Sequence, residues 1–333
     1  MSIFNRNDRF VNRHLGVSRE EIKEMLKIVG ADSVDALIDE SIPRGIRLKD
    51  DIKIDPALTE YEYLRELRSK AEKNKPFRHF IGQGYYNTIT PSVILRNIFQ
   101  NPGWYTPYTP YQAEIAQGRL EALLNFQTMV SELTGFPMAN ASLLDEGTAA
   151  AEAMAMLFDQ KNKRNKENPV SKIFVDQNVF DQTIDVLRTR AMPLDIEVEV
   201  GDWQSMNIDG SQYFAVLIQY PDDRGNIHDY SSFSEKLKGE DIYLIAAADI
   251  LALTLLATPA SWGADVAIGT TQRFGVPMGF GGPHAAYFAT TEKFKRQIPG
   301  RIIGVSVDRH GDSALRMALQ TREQHIRREK ATS

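Results

Sequence analysis

The 333-residue chain contains no cysteine. That removes disulfides, thiolate nucleophiles and cysteine-held metals together. No apolar run approaches the length of a membrane span. Residues Met1 to Arg13 mix charges with Phe4, Phe10 and Val11, where a secretory signal would need an apolar core. Charge of one sign is also lacking: the net charge is −5 with acids and bases interspersed, so there is no basic footprint for nucleic acid. There is no short-period repeat and no low-complexity block. These absences predict a cytoplasmic protein with no metal and no nucleic-acid or membrane partner. What remains is an ordinary globular composition, long enough to bury one large core or two modest ones.

A helical region comes first. Ser18 with Glu21 reads as a capping box, and Ile22, Met25, Leu26 and Val29 follow at helical spacing until Gly30. Thr59 with Glu62 opens a second helix that ends before Pro76. The apolar stripes of these helices need another surface, so residues 1–76 read as a helical N-terminal arm and residues 77–333 as the main domain. From Phe77 to Pro110 the chain is rich in Gly, Pro, Asn and aromatics, and proline after each Tyr-Thr pair biases the backbone towards extended. Helices are predicted over residues 115–133, closed by Gly135, and from Gly147 to about Gln160. Apolar strands at residues 173–175, 196–200, 213–219, 242–247 and 266–268 then alternate with helices at 181–190 and 231–237. That alternation predicts an α/β fold with a mainly parallel sheet. Residues 285–288 read as a returning strand and 291–296 as an exposed helix. The tail from Ala314 reads as a helix that becomes basic at Arg322, Arg327, Arg328 and Lys330.

Chemistry-bearing residues gather where strands end. Asp249 stands just past one buried strand, and the next runs into Thr270-Thr271-Gln272-Arg273 and then Gly279-Phe280-Gly281-Gly282-Pro283-His284. A strand-end acid with a polar turn after the next strand resembles the layout of pyridoxal-phosphate enzymes of the aspartate-aminotransferase fold, fold type I. In those proteins the acid binds the pyridine nitrogen and a lysine in the turn holds the aldehyde. This turn has no lysine. An amide forms no imine, and a guanidinium stays protonated and is no amine nucleophile. The glycine spacing is not a dinucleotide fingerprint either.

Longer motifs make the resemblance specific. They are Trp104-Tyr105-Thr106-Pro107-Tyr108-Thr109-Pro110-Tyr111-Gln112, Ala139-Asn140-Ala141-Ser142-Leu143-Leu144-Asp145-Glu146-Gly147-Thr148-Ala149, Arg273-Phe274-Gly275-Val276-Pro277-Met278 with the glycine loop, and Gln320-Thr321-Arg322-Glu323-Gln324-His325. Across essentially its whole length the chain resembles the P-protein family of the glycine cleavage system, in particular its N-terminal half. The resemblance implies a fold-type-I large domain, with the small C-terminal domain lying beyond this sequence. It implies that pyridoxal phosphate and its lysine belong to the C-terminal catalytic half, and that no cofactor binds this chain alone. The implied reaction decarboxylates glycine and passes the aminomethyl group to the lipoyl arm of the H-protein. This chain's implied part is that of a dimer-like partner, inactive by itself.

Each candidate residue carries a functional and a plainer reading. Gln272 falls where the active half has lysine, or is a polar turn residue. Asp249 is a relic of the pyridine-binding acid, or a turn former. Gly147 and Thr148 open the helix on whose N-terminus a phosphate would rest. Asp145 and Glu146 there repel an anion, or cap the helix. His284 ends the glycine loop as a site residue or as a structural one. Tyr85, Tyr86, Tyr105, Tyr108 and Tyr111 carry hydroxyls on apolar rings, suited to an interface or to bordering a partner's pocket. Two other functions stay open: a stand-alone pyridoxal-phosphate transferase using another lysine, such as Lys293 or Lys295, and a non-enzymatic assembly protein.

Overall fold

The computed structural model describes residues 10, 14, 16–48, 50, 52–78, 80, 82–106, 110, 112–279 and 283–318. The chain divides into two compact units, Met1–Arg78 and His79–Ser333.

In the first unit, α1 (Arg19–Val29) and α3 (Glu60–Ala71) start on the capping boxes that their sequences predict. Gly30 ends α1 in the left-handed conformation, as a helix-terminating glycine does. Between them lies α2 (Val34–Ser41), which the sequence reading did not anticipate. Ser33 caps it, and Arg47 folds back to pair with Asp35 and Asp39 on successive turns. None of the three helices buries a residue.

The second unit is built on a seven-stranded sheet. Its elements in chain order are α4 (Gln117–Thr134), β1 (Met138–Ala139), α5 (Glu146–Lys161), β2 (Lys172–Asp176), α6 (Asp181–Ala191), β3 (Glu197–Gly201), β4 (Tyr213–Tyr220), α7 (Ser231–Gly239), β5 (Tyr243–Ala248), β6 (Val266–Thr270) and β7 (Ala286–Thr290). The strand order is β1-β7-β6-β5-β4-β2-β3. Pairs among β3, β2, β4, β5 and β6 are parallel, and β7 and β1 are antiparallel. This is the mainly parallel α/β architecture expected from the alternation.

Every residue of β4, β5, β6 and β7 is buried, which explains why they read as continuous apolar runs. Period-two alternation divides them between two cores. On one face Ala215, Leu217, Ile245, Ile268 and Phe288 meet α5 and α6 through Met154, Leu157 and Leu187. On the other, Val216, Ile218, Leu244 and Ala267 meet α4 and α7 through Val130, Phe233 and Leu237, with Trp262. The alanines of α5 let it lie close to the sheet: Ala149, Ala150, Ala151 and Ala153 are all buried.

Three stretches differ from the sequence reading. Residues 291–296 are not an exposed helix but a single 3-10 turn, Glu292–Phe294, because Phe294 is fully buried under β5. The backbone at the first Tyr-Thr-Pro is not extended: Pro102–Tyr105 is a helical turn opened by the Asn101 side chain with Pro102 at its first position, and Thr106 ends it still in the helical region at φ −97° and ψ −13°. The tail does not turn helical at Ala314. β9 (Ser313–Ala318) pairs antiparallel with β8 (Ile302–Val307) to form a separate hairpin. Ile303 and Met317, directly opposite each other, are buried with Leu120 of α4. The basic residues beyond position 318 lie outside the described residues.

Two glutamines ten residues apart on α4 fasten this hairpin. Gln127 donates to the Ile303 carbonyl at 3.1 Å and accepts from its amide at 2.7 Å. Gln117 does the same with Leu315, both at 2.9 Å. Each side-chain amide behaves as one more peptide group of a ladder. Gln127→Ala would leave a buried N–H and C=O unpaired, at a cost of about 2 kcal/mol. The expected outcome is faster hydrogen exchange in β8 and β9 with unchanged protection in β4 and β5. Uniform loss of protection would mean that the hairpin is not an independently fastened element.

Candidate functional site

The carboxyl ends of the parallel strands converge on a small cavity of about 160 Å³. A doubly wound sheet offers its concave edge there, where strands stop and loops diverge. Gly84, Tyr85, Asp145, Glu146, Phe180, Gln182, Thr270, Gln272 and His284 are among the lining residues. Both faces of the sheet are apolar, so polar side chains collect at this rim.

Asp145 is the N-cap of α5, its Oδ1 accepting from the Thr148 amide at 2.7 Å. The capping reading of the sequence therefore holds for Asp145, and the Thr148 N–H is committed within the chain. Gly147 is buried with its Cα towards Val186 of α6. Glu146, in the first turn, receives a long 3.4 Å contact from Gln219 Nε2 at the end of β4. Burial pushes the Glu146 carboxyl up to about 7, and the neighbouring Asp249 and Asp145 charges add to the effect. Gln219 is itself buried, and its Oε1 has no hydrogen-bond partner among the described residues.

Gln272 is buried just past β6. Its Nε2 donates to the Pro283 carbonyl at 3.0 Å, and its backbone amide donates to Thr270 Oγ1 at 3.2 Å. It ties the turn to the start of the returning strand. Arg273 points the other way. Its Nε and Nη2 meet the two oxygens of Asp249 at 3.1 and 2.8 Å, a bidentate ion pair with side chains 17% and 12% exposed. The guanidinium carbon lies 3.7 Å from the centre of the Tyr86 ring. Burial, aided by Asp249 and Glu146, pushes the Tyr86 hydroxyl up to about 12, so it stays neutral.

The segment carrying Tyr86 alternates like a strand: Gly84, Tyr86, Thr88 and Thr90 are half-buried, whereas Tyr85, Asn87 and Ile89 are exposed. Thr88 donates to the Val276 carbonyl at 2.7 Å and Thr90 to that of Gly275. Gln182 of α6 donates to the Gln83 carbonyl at 2.6 Å. Gly84, at φ +80°, rests on the Phe180 ring so closely that a β-carbon would come within 2.9 Å. The two adjacent tyrosines thus part company: Tyr86 covers Arg273, and Tyr85 faces outward with its ring edge-on to His284 at 6.0 Å.

Gln272, Asp249, Gly147, Thr148, His284, Tyr85 and Tyr86 all border this strand-end region. Tyr105 is 63% exposed in the helical turn after Pro102. Tyr108 and Tyr111 lie outside the described residues. Lys293 does not approach the site. Its Nζ sits 4.6 Å over the ring of Tyr243, the first residue of β5, whereas Asp249 follows the last. Six strand residues at about 3.3 Å each separate the two ends. Lys295 is exposed and immediately follows the same turn. Sequence reasoning missed the roles of Gln219 and Phe180, whose polar end and ring are placed by the neighbouring strands. It saw Arg273 only as a non-nucleophile, although its place opposite a strand-end acid was a usable signal.

Among the described residues, no helix is long and apolar enough to cross a membrane, and no group of three or more His, Cys, Asp or Glu residues could hold a metal ion. The family model described as "Glycine cleavage system P-protein" matches residues 12–333. Glycine dehydrogenase (decarboxylating) of Flavobacterium johnsoniae is 55% identical over 328 residues, 98% of this chain and 34% of that protein. The protein of the same name from a Nostoc species is 57% identical over 98% of this chain and 33% of its own length. The chain therefore spans about a third of the curated relatives it matches. A crystal structure of glycine decarboxylase (P-protein) of the glycine cleavage system, in inhibitor-bound form, superposes with a TM-score of 0.84 at 36% identity, covering 95% of this chain and 71% of the other. Sphingosine-1-phosphate lyase of Burkholderia pseudomallei shares the fold alone, with a TM-score of 0.53 at 12% identity.

The proton on Glu146 has a measurable consequence. The folded chain holds it up to about pH 7, whereas an unfolded chain releases it near 4.5. Between those values the folded state binds a proton that the unfolded state does not, so stability falls as pH rises through the window. The expected loss is on the order of 2–3 kcal/mol. Glu146→Gln mimics the protonated acid and should raise Tm at pH 8 while leaving it near the wild-type value at pH 5. Equal pH slopes for the two proteins would show that Glu146 is an ordinary carboxylate.

Proposed function

Since the chain belongs to the glycine cleavage system P-protein family, we propose that it is the half of a glycine decarboxylase that lacks the cofactor lysine and completes the half that carries it. In this reading the whole protein removes carbon dioxide from glycine with pyridoxal phosphate and hands the aminomethyl group to the lipoyl arm of the H-protein. All of that chemistry belongs to the C-terminal half, whether in the same polypeptide or in a partner subunit. The present chain is inactive alone.

The observation that carries this reading is the fate of the strand-end acid. Pyridoxal phosphate needs a free carboxylate against its ring nitrogen, an amine for its aldehyde and an anion-accepting helix start. Here Asp249 is held by both arms of Arg273, and the lysine place holds Gln272, whose amide is bonded to Pro283. The start of α5 presents Asp145 and Glu146, with the Thr148 amide already used. A phosphate dianion there would face these two acids, and one of the helix-start N–H groups that would hold it is taken by Asp145. The residues present do not fit the cofactor, and no step of the reaction runs through them.

Support for a partner role comes from the second unit's surface. Phe80, Ile89, Val93, Leu95, Phe99 and Tyr105 are all exposed in one stretch of sequence. Apolar exposure on this scale marks a face that another surface covers. Tyr85 and Tyr105 belong to that exposed stretch, and in this reading the tyrosine hydroxyls of the segment, with those of Tyr108 and Tyr111, border the partner's pocket. A lysine-based transferase acting alone has no support in the geometry, because Lys293 lies at the opposite end of β5 from Asp249.

The test has two arms. The purified chain with added pyridoxal phosphate is reduced with borohydride and mapped, and no single lysine should be labelled stoichiometrically. The chain is then mixed with the C-terminal half and lipoylated H-protein, and glycine decarboxylation should require both halves. One lysine labelled at a 1:1 ratio, or full activity from the C-terminal half alone, would refute the proposal.

A further inference from the structure

We propose that the rim around Asp249 is a binding site for a planar cation which the chain fills from within, with Arg273 as the bound ligand and Tyr86 as its lid. The inference rests on the reading that this half holds no pyridoxal phosphate. It goes further in assigning a positive recognition function to residues that would otherwise count only as losses.

A simple ion pair needs a charge near a charge. This one recognises shape. The edge of the guanidinium is matched in-plane by both carboxylate oxygens, at 3.1 and 2.8 Å. Its face is matched by an aromatic ring at 3.7 Å. Edge and face together select a flat, delocalised cation with two parallel N–H donors, and a compact ammonium cannot match both with the same geometry. A protonated 2-aminopyridine presents the same pair of donors at its edge and the same flat face.

The lid is held independently of its ligand. Thr88 and Thr90 bond to backbone carbonyls of the turn that carries Arg273, and Gln182 bonds to the Gln83 carbonyl. Gly84 lies flush on Phe180, where no side chain could follow. The extended segment is therefore anchored on both sides of Tyr86. Removing the guanidinium should leave a preformed slot between Asp249 and the Tyr86 ring. It should also leave Asp249 without its countercharge, which a buried carboxylate tolerates poorly. The ligand class such a slot takes is guanidinium, amidinium or aminopyridinium.

The experiment is thermal denaturation of the full 333-residue chain and of Arg273→Ala, each with and without methylguanidinium at low-millimolar concentration. Sodium chloride and ammonium chloride at equal ionic strength serve as controls. The variant should lose about 5 °C or more of Tm. Methylguanidinium should restore at least half of that loss saturably, with no effect on the wild type. Salt and ammonium should not. Recovery should vanish in Asp249→Asn/Arg273→Ala. An Arg273→Ala protein with wild-type Tm, or one rescued equally by all three salts, overturns the proposal. If Arg273→Ala does not fold, Arg273→Lys decides. It keeps the charge but not the plane, and should show a similar loss of Tm, whereas wild-type Tm in the lysine variant overturns planar recognition. Tyr86→Phe should be neutral and Tyr86→Ala destabilising in the wild type only. Stoichiometric uptake of pyridoxal phosphate by the wild type would refute the underlying reading separately, whatever methylguanidinium does.

Discussion

The central strands of this sheet are apolar on both faces, and the placement of the polar groups at the strand-end site follows from that. β4, β5 and β6 have no solvent-facing side, so a charge within any of them would have to be buried without a partner. Polar chemistry is confined to the ends of the strands. At the carboxyl end, β2 stops at Asp176, β4 is followed by a turn containing Asp222, β5 gives way to Asp249 and α5 begins with Asp145 and Glu146. Loops and helix starts close over these residues, so the rim is both acidic and poorly solvated.

Three of those acids share one cavity region, and each is made tolerable by a different device. Asp145 spends its charge on the N-terminus of α5, where the helix dipole and the Thr148 amide accept it. Glu146 lies one residue further on, out of capping position, and keeps its proton near neutrality. Asp249 receives a full countercharge from Arg273. The devices are interdependent. Because Arg273 is committed to Asp249, Glu146 is met by neutral groups instead, the amide of Gln219 and the backbone of Thr270. Because Glu146 is protonated, the single guanidinium balances a single carboxylate. Arg→Lys or Gln→Leu changes in this set would therefore not be local.

Local features of the chain were legible in the sequence to the degree that short-range physics decides them. The Ser18 and Thr59 boxes, the Gly30 and Gly135 terminators, the five parallel strands and the capping role of Asp145 all rest on contacts within about four residues or on simple periodicity. The errors came where distant residues decide. Residues 313–318 alternate weakly enough to pass for helix, and only pairing with β8 and the Gln117 amide of α4 makes them a strand. Phe294 converts an apparent surface helix into a single turn by entering the core beside Tyr243. At the site, the absence of lysine at Gln272 was plain, but what stands in its place was not. Asp249 and Arg273 are 24 residues apart, and Tyr86 arrives from 187 residues upstream of Arg273. No local pattern links the three.

The same distances make the strand-end acid, the arginine and the ring one unit rather than three separate residues. A strand-end acid this poorly solvated is a buried anion, and leaving it unpaired costs several kcal/mol, more than a single surface contact can offset. A side chain just past β6 can reach that acid, since both follow adjacent parallel strands, β5 and β6. The arginine there supplies the countercharge, and the Tyr86 ring covers the face of its guanidinium. On this argument the acid and its arginine are a coupled pair. Retaining one without the other leaves a charge in a poorly solvated rim, whereas retaining both keeps the carboxyl ends of β5 and β6 rigid.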